Sequence, residues 1–243
     1  PARRMTMIGI TGTKGKTTTA HLLAAVLTAA GRRVGCIGTN GAVWPGQRHT
    51  LGYTTPESCD LQHILRDMAD DGCDACVMEV SSLGLKMDRV GGIEFDVGVF
   101  TNLSPDHIGP GEHASYAEYR AWKSVLFRRC KVGVVNADDR ETSAILEGHS
   151  CRMVRYGIAA PADWLTLPGF TPRRTADALA TDFTVRLPGG RMADFTVPMP
   201  GAFSVQDALA ALAAAGVLGV PVAAMQAGLR GAAVRGRCEV VPC

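Results

Sequence analysis

A short apolar run from Met5 to Ile10 leads directly into Thr11-Gly12-Thr13-Lys14-Gly15-Lys16-Thr17, and this junction limits the fold more than any other segment. Beyond it, Thr17 to Ala30 carries apolar residues at helical spacing, and Gly31 stands where a helix C-terminus favours glycine. A strand, a glycine loop and a helix in that order aim backbone N–H groups and the positive end of the helix at one point, which suits an anion. Lys16 is spaced to reach terminal phosphates, and the Thr17 hydroxyl to hold Mg²⁺. The general spacing G-x-x-x-x-G-K-[ST] is not fully met, because Ile10 stands at its first glycine. A tight turn that happens to contain Gly-Lys-Thr is the plain alternative, and the flanking strand and helix favour a nucleotide.

The rest of the chain alternates in the same way. Val34 to Gly38, Ala75 to Val80, Phe95 to Phe100, Lys131 to Asn136 and Arg152 to Tyr156 read as strands. Several are continuous apolar runs, as strands covered on both faces of a parallel sheet are. Between them, Pro56 to Asp70, Tyr116 to Phe127 and Asp139 to Glu147 read as helices, the first with Leu61, Ile64, Leu65 and Met68 on one face. The expected fold is α/β: a P-loop-type, mostly parallel sheet flanked by helices. Asp182 to Leu187 and Met192 to Val197 flank Pro-Gly-Gly, which adds a small antiparallel hairpin in the C-terminal third. Two helices, Phe203 to Val217 and Val222 to Leu229, follow. The expected organisation is one domain over residues 5–239, a size compatible with a single large core.

Composition removes several classes of function. With 25 basic and 23 acidic residues the formal net charge is only +2, so no nucleic-acid partner is expected. The longest apolar run, Ala208 to Val220, is shorter than the roughly 20 residues that span a bilayer, so no membrane partner is expected either. The eight cysteines are scattered, several in apolar stretches, and no secretory leader is apparent, which together suggest a reduced, cytoplasmic setting. The one C-x-x-C, Cys73 to Cys76, has no second pair at zinc-site spacing. Glu79, ending an apolar strand ahead of Ser81 and Ser82, lies where a parallel sheet presents ligands to a nucleotide and is a candidate Mg²⁺ ligand.

Five short motifs occur in one order: Thr11 to Thr18, Thr54-Thr55-Pro56, Glu79-Val80-Ser81-Ser82, Phe100-Thr101-Asn102-Leu103-Ser104-Pro105-Asp106-His107, and Asn136-Ala137-Asp138-Asp139. In this the chain resembles the central, ATP-binding domain of the Mur ligases, particularly those of the tripeptide-synthetase type. The likeness runs to Gly236-Arg237-Cys238-Glu239. The resemblance implies ATP-dependent amide formation through an acyl phosphate in peptidoglycan precursor synthesis. A diamino acid would be added to UDP-MurNAc-L-Ala-D-Glu, with ATP and two Mg²⁺ ions. By the same resemblance Lys16, His107 and Lys123 are catalytic, and Gly12, Thr13, Lys14, Gly15, Lys16, Thr17, Thr18 and Arg237 bind the nucleotide. Thr54, Thr55, Ser81 and Arg89 hold the muramyl-dipeptide, and Thr17, Glu79, His107 and Lys123 attend the metals, Lys123 as an N6-carboxylated lysine. A carbamate is a hard oxygen ligand where an ammonium is none. From the residues alone, Lys123 on the Tyr116 to Phe127 helix reads as a solvated lysine, the usual fate of a helical Lys.

The departures are specific. Ile108-Gly109-Pro110-Gly111-Glu112-His113 is longer than the corresponding family segment and lacks its acid and tyrosine, so His113 reads as a loop histidine. Ser204 and Asp207 stand where the family carries Asn, the second of which approaches adenine there. The flanking domains that hold the uridine nucleotide and the incoming amino acid have no counterpart in these 243 residues, which implies weak activity from this chain by itself. Related ligases acting on folates or cyanophycin, the ligase-like subunit of a lipid II amidating complex, and a non-catalytic nucleotide-binding domain are the competing readings. Gly-Lys-Thr-Thr argues against the folate enzymes, and the lack of paired Cys-x-x-Cys motifs against the amidating subunit.

Overall fold

The computed structural model describes residues 1–174 and 179–238. After a short 3-10 turn come β1 (Thr6–Thr11), α1 (Lys16–Ala29), β2 (Val34–Gly38), β3 (Gly41–Trp44), β4 (Gln47–His49) and α2 (Ser58–Asp70). Next are β5 (Ala75–Glu79), α3 (Ser82–Lys86), β6 (Phe95–Phe100), α4 (Tyr116–Ser124), β7 (Cys130–Asn136) and α5 (Thr142–Ile145). The chain then forms β8 (Arg152–Gly157), β9 (Trp164–Thr166), β10 (Thr171–Arg174), β11 (Leu179–Arg186), β12 (Met192–Val197), α6 (Ala202–Val217) and α7 (Val222–Arg230).

All the strands join one sheet in the order β10-β11-β9-β8-β7-β6-β1-β5-β2-β3-β4, with β12 paired to β11. From β2 to β9 every neighbour is parallel. β1 is central because its residues are apolar on both pleats: Ile8 and Ile10 enter the core under α1, α6 and α7, while Met7 enters the one under α2 and α4. The chain leaves β1 toward β2 and later returns to place β6 on the other side of β1. Its C-terminal edge is therefore a switch point, where doubly wound sheets open a crevice for ligands. The Ala-rich α6 is buried almost throughout, and its small side chains let α1 and the sheet approach closely.

The predicted hairpin is present as β11 and β12, paired Arg186 to Met192 across the Pro-Gly-Gly turn. A second antiparallel unit, β3 and β4 on the opposite edge, had no legible pattern: β4 is three exposed polar residues, without the alternation that marks a half-buried strand. Three predicted helices are shorter than the sequence suggested. The one expected from Pro56 begins at Ser58, since Pro56 and Glu57 remain outside the first turn. The Tyr116 helix tightens into a 3-10 turn from Val125 to Arg128, and the Asp139 to Glu147 helix shrinks to one turn, because Asp139 caps the Glu141 and Leu103 N–H groups instead of entering it. The expected boundary at Glu239 lies outside the described residues. Among the described residues no helix is long and apolar enough to cross a membrane.

Candidate functional site

The loop after β1 is held from outside by the segment after β6. Asn102 O accepts the Thr13 N–H at 2.8 Å, Asn102 Oδ1 accepts the Lys14 N–H at 3.0 Å, and the Thr101 hydroxyl donates to Lys14 O at 2.7 Å. Two glycines are required. Gly12 has φ 148° and Gly15 φ 85°; a Cβ on the first would collide with Thr101 Oγ1 and on the second with Asp207 Oδ1. Gly15 is the N-cap of α1, so the loop ends where the orphan N–H groups of that helix begin. Lys16 folds back onto the loop, donating to Gly12 O at 2.8 Å and Thr13 O at 3.1 Å. Burial lowers its pKa, against the opposing pull of Glu79.

Glu79, at the end of β5, is 2% exposed. Its Oε1 accepts the Thr17 hydroxyl at 2.9 Å and the Thr39 N–H at 2.8 Å. A buried carboxylate and a hydroxyl thus converge beside the loop, a hard oxygen set that fits Mg²⁺. Among the described residues no three His, Cys, Asp or Glu side chains cluster as a metal cage. Cys73 and Cys76 are buried thiols whose pKa values burial raises, so they are packing residues.

These groups open onto a cavity of about 460 Å³ lined by Thr13, Lys14, Gly15, Lys16, Thr17 and Glu79 from the loop side, and by Thr54, Ser81, Arg89, His107 and Arg237 opposite. Arg89 lies over the Tyr53 ring at 4.4 Å, pairs with Glu57 at 2.6 Å and donates to Thr55 O, while its Nε is buried without a partner. Thr55 does not reach the cavity. It is fully buried, donates to Glu79 O at 3.0 Å and accepts the Ser81 N–H at 3.0 Å, so it ties two loops together. Ser81 caps α3 through the Gly84 N–H.

Lys123 is 1% exposed, which overturns its reading as a solvated lysine. Its Nζ donates to Gly12 O at 3.0 Å, the same oxygen that accepts Lys16, and lies 4.5 Å from the centre of the Tyr119 ring. Burial, reinforced by the Lys16 charge, holds its pKa well below that of an ordinary lysine. Tyr119, one helical turn earlier on the same face of α4, is fully buried and shares a 3.1 Å hydrogen bond with Thr13 Oγ1. Sequence reasoning missed it, though its i, i+4 spacing from Lys123 was the available signal. His107 and His113 also approach the Tyr119 ring, with centroids 6.0 Å and 5.3 Å away. His113 does lie in the loop, yet it is fully buried, and its Nε2 lies 2.9 Å from Ser82 Oγ.

Two residues beside the loop, Thr18 and Asp207, lie outside the cavity lining. The Thr18 side chain is buried behind the loop against Asp207. Asp207 itself packs against Gly15 instead of presenting a free side chain to the pocket. Burial pushes its carboxyl up to about 7, although the Thr18 hydroxyl pulls the other way. The folded chain therefore prefers the neutral acid. Between the ordinary Asp pKa of about 4 and about 7 the unfolded chain binds fewer protons, so stability falls as pH rises through that window, by up to about 4 kcal/mol. Asp207→Asn is expected to flatten that slope and to stabilise the chain more at about pH 8 than at about pH 4. Urea unfolding across pH checks this, and an unchanged slope would count against the buried acid.

A model of the Mur ligase middle domain matches residues 10–215. The UDP-N-acetylmuramoyl-L-alanyl-D-glutamate–2,6-diaminopimelate ligase of Caldanaerobacter subterraneus is 36% identical over 248 residues, covering 99% of this chain and 48% of that protein. The enzyme of the same name from Bacillus licheniformis is 37% identical, covering 99% of this chain and 50% of that one. A solved structure of such a diaminopimelate ligase superposes with TM-score 0.79 at 28% identity, over 93% of this chain and 45% of that one. Mycobacterium tuberculosis folylpolyglutamate synthase, complexed with ADP and AMPPCP, superposes at 0.75 but at 21% identity, which speaks for the fold alone. The chain spans about half the length of the curated relatives it matches. With the ordered motifs and the parallel sheet they decorate, these matches identify the chain as a member of the Mur ligase family.

Proposed function

We propose that residues 5–239 act as the ATP-binding middle domain of a cytoplasmic ligase in peptidoglycan precursor synthesis. The reaction is addition of a diamino acid to UDP-MurNAc-L-Ala-D-Glu, the substrate in the relatives' names. The observation that carries this reading is the convergence of Lys16, Lys123, Thr17 and Glu79 around the Gly12 to Thr17 loop, with Lys16, Thr17, Glu79 and Arg89 lining one cavity. ATP binds with its phosphates along the loop N–H groups and the α1 N-terminus. Lys16 swings from Gly12 O to the terminal phosphate, and Arg237 lies at the nucleotide side of the opening. Thr54, Ser81 and Arg89 hold the peptide substrate, Arg89 pairing with a carboxylate through the planar fork of its guanidinium. Thr55 acts indirectly, by fixing the loop that carries Thr54.

Thr17 and Glu79 hold one Mg²⁺, and His107 with N6-carboxylated Lys123 attends a second. The metal supplies charge neutralisation to the phosphoryl group in transit. The chain's own contribution is alignment: a substrate carboxylate held in line with the γ-phosphate forms the acyl phosphate, and the amine of the second substrate then displaces phosphate. The portions of the ligase that hold the uridine nucleotide and the amino acid complete the site.

Lys16→Ala in the full-length ligase is expected to lower amide formation by about 100-fold or more, because a charge-stabilising donor at the transferring group is lost. The assay follows phosphate release, which requires ATP, UDP-MurNAc-L-Ala-D-Glu and a diamino acid together. Undiminished ligation sinks the assignment, as does tight ATP binding by calorimetry with no turnover on any of these substrates.

A further inference from the structure

The segment between His107 and His113 has a definite structure. His107 adopts φ 55°, an uncommon conformation for a histidine, and its N–H donates to Asp106 Oδ1 at 3.0 Å. Three backbone bonds close the loop: the His113 N–H donates to His107 O, the Gly109 N–H to His113 O and the Glu112 N–H to Gly109 O. Two side chains pin it from below. Lys86 donates to Glu112 O at 2.9 Å, and buried His113 meets Ser82. The result brings Glu112 Oε1 to 2.8 Å from His107 Nδ1, with both residues on the wall of the main cavity.

We infer that Glu112 is a positioning residue for His107, holding the imidazole as the Nδ1–H tautomer so that Nε2 keeps its lone pair for the cavity. A carboxylate can only accept, so Nδ1 must donate. Carboxylates bound to the far nitrogen of a ligating histidine fix ring orientation and raise ligand basicity in this way. The strained backbone at His107 belongs to the same device: the tight loop turns Glu112 back onto the ring it serves. Because His107 is 46% and Glu112 38% exposed, the pair adds little to stability, and its effect is on which nitrogen carries the proton. The inference rests on the ligase reading for what Nε2 attends, but the tautomer is a property of the chain alone.

The test is ¹⁵N–¹H spectroscopy of the imidazoles in the metal-free chain at about pH 8.5, where an ordinary histidine is neutral. The His107 signal is assigned by its loss in His107→Gln. Wild type is expected to show His107 as Nδ1–H. In Glu112→Gln, whose amide can donate as well as accept, the Nε2–H population is expected to rise several-fold while the Gly109 and His113 backbone amides keep their shifts. In the full-length ligase the same variant is expected to need about 10-fold more Mg²⁺ for half-maximal rate, with kcat little changed. An Nε2–H tautomer in wild type overturns the inference without any variant, and so does a tautomer indifferent to Glu112→Gln. Neither result bears on the ligase reading, which stands or falls with Lys16→Ala.

Discussion

Lys123→Arg in the full-length ligase is expected to cost about 100-fold or more in amide formation, and to abolish any dependence of the rate on dissolved CO₂. Arginine keeps the positive charge and most of the length, so a lysine acting as a cation would tolerate it better. The expectation follows from where Lys123 lies. Its amine is 1% exposed, shares Gly12 O with Lys16 and has its pKa depressed by burial and by that neighbour. A neutral amine is a nucleophile: its nitrogen bonds to the carbon of CO₂, one C=O π bond opens onto oxygen, and the nitrogen loses a proton. The carbamate would place an anion beside the Lys16 cation and offer hard oxygens to Mg²⁺. Two measurements check this. Wild-type activity should fall in CO₂-depleted buffer and return with bicarbonate, and Lys123→Arg should show neither. Full activity in the arginine variant, or indifference of the wild type to CO₂, would remove carboxylation from the mechanism.

Gly15→Ala is expected to lower stability by about 2–4 kcal/mol and the melting temperature by roughly 10 °C. Two costs add. An L side chain at φ 85° is strained, by about 1–2 kcal/mol. The new Cβ also collides with Asp207 Oδ1, on a carboxyl that is itself buried, so that side chain must shift. These costs can be separated. Removing the carboxylate as well, in Gly15→Ala with Asp207→Ala, should restore the collision part and leave the backbone part, a coupling of about 1–2 kcal/mol in a double-mutant cycle. Strict additivity would mean that the two residues do not meet. ATP affinity should fall with the single variant too, since the loop N–H groups are displaced from the α1 N-terminus.

Much of the site was legible because its residues sit where chain order and space agree. The loop from Gly12 to Thr17 follows a strand and opens a helix, and Glu79 ends another strand; parallel strands deliver such ends to one edge whatever the details of packing. Adjacency to a contact residue did not show which way the Thr18 and Thr55 side chains face. Thr18 is rotated along α1 toward Asp207, and Thr55 is turned inward to bridge β5 and the α3 cap. Tyr119, Thr39 and Glu112 went unseen for the opposite reason: each acts by touching a residue far away in sequence, or across a turn whose shape no periodicity encodes.

The sequence by itself determined the α/β class, the strand, loop and helix that open the chain, and the family, since these follow from local hydrophobic pattern and short ordered motifs. Only the tertiary structure decided the states of the ionisable groups. Whether Lys123 is a solvated cation or a buried amine, whether Asp207 is charged, and which nitrogen of His107 carries a proton all depend on desolvation and on neighbours brought from other elements. Electrostatic energies change steeply over a few ångströms at low dielectric, and spacing along a chain does not specify those few ångströms.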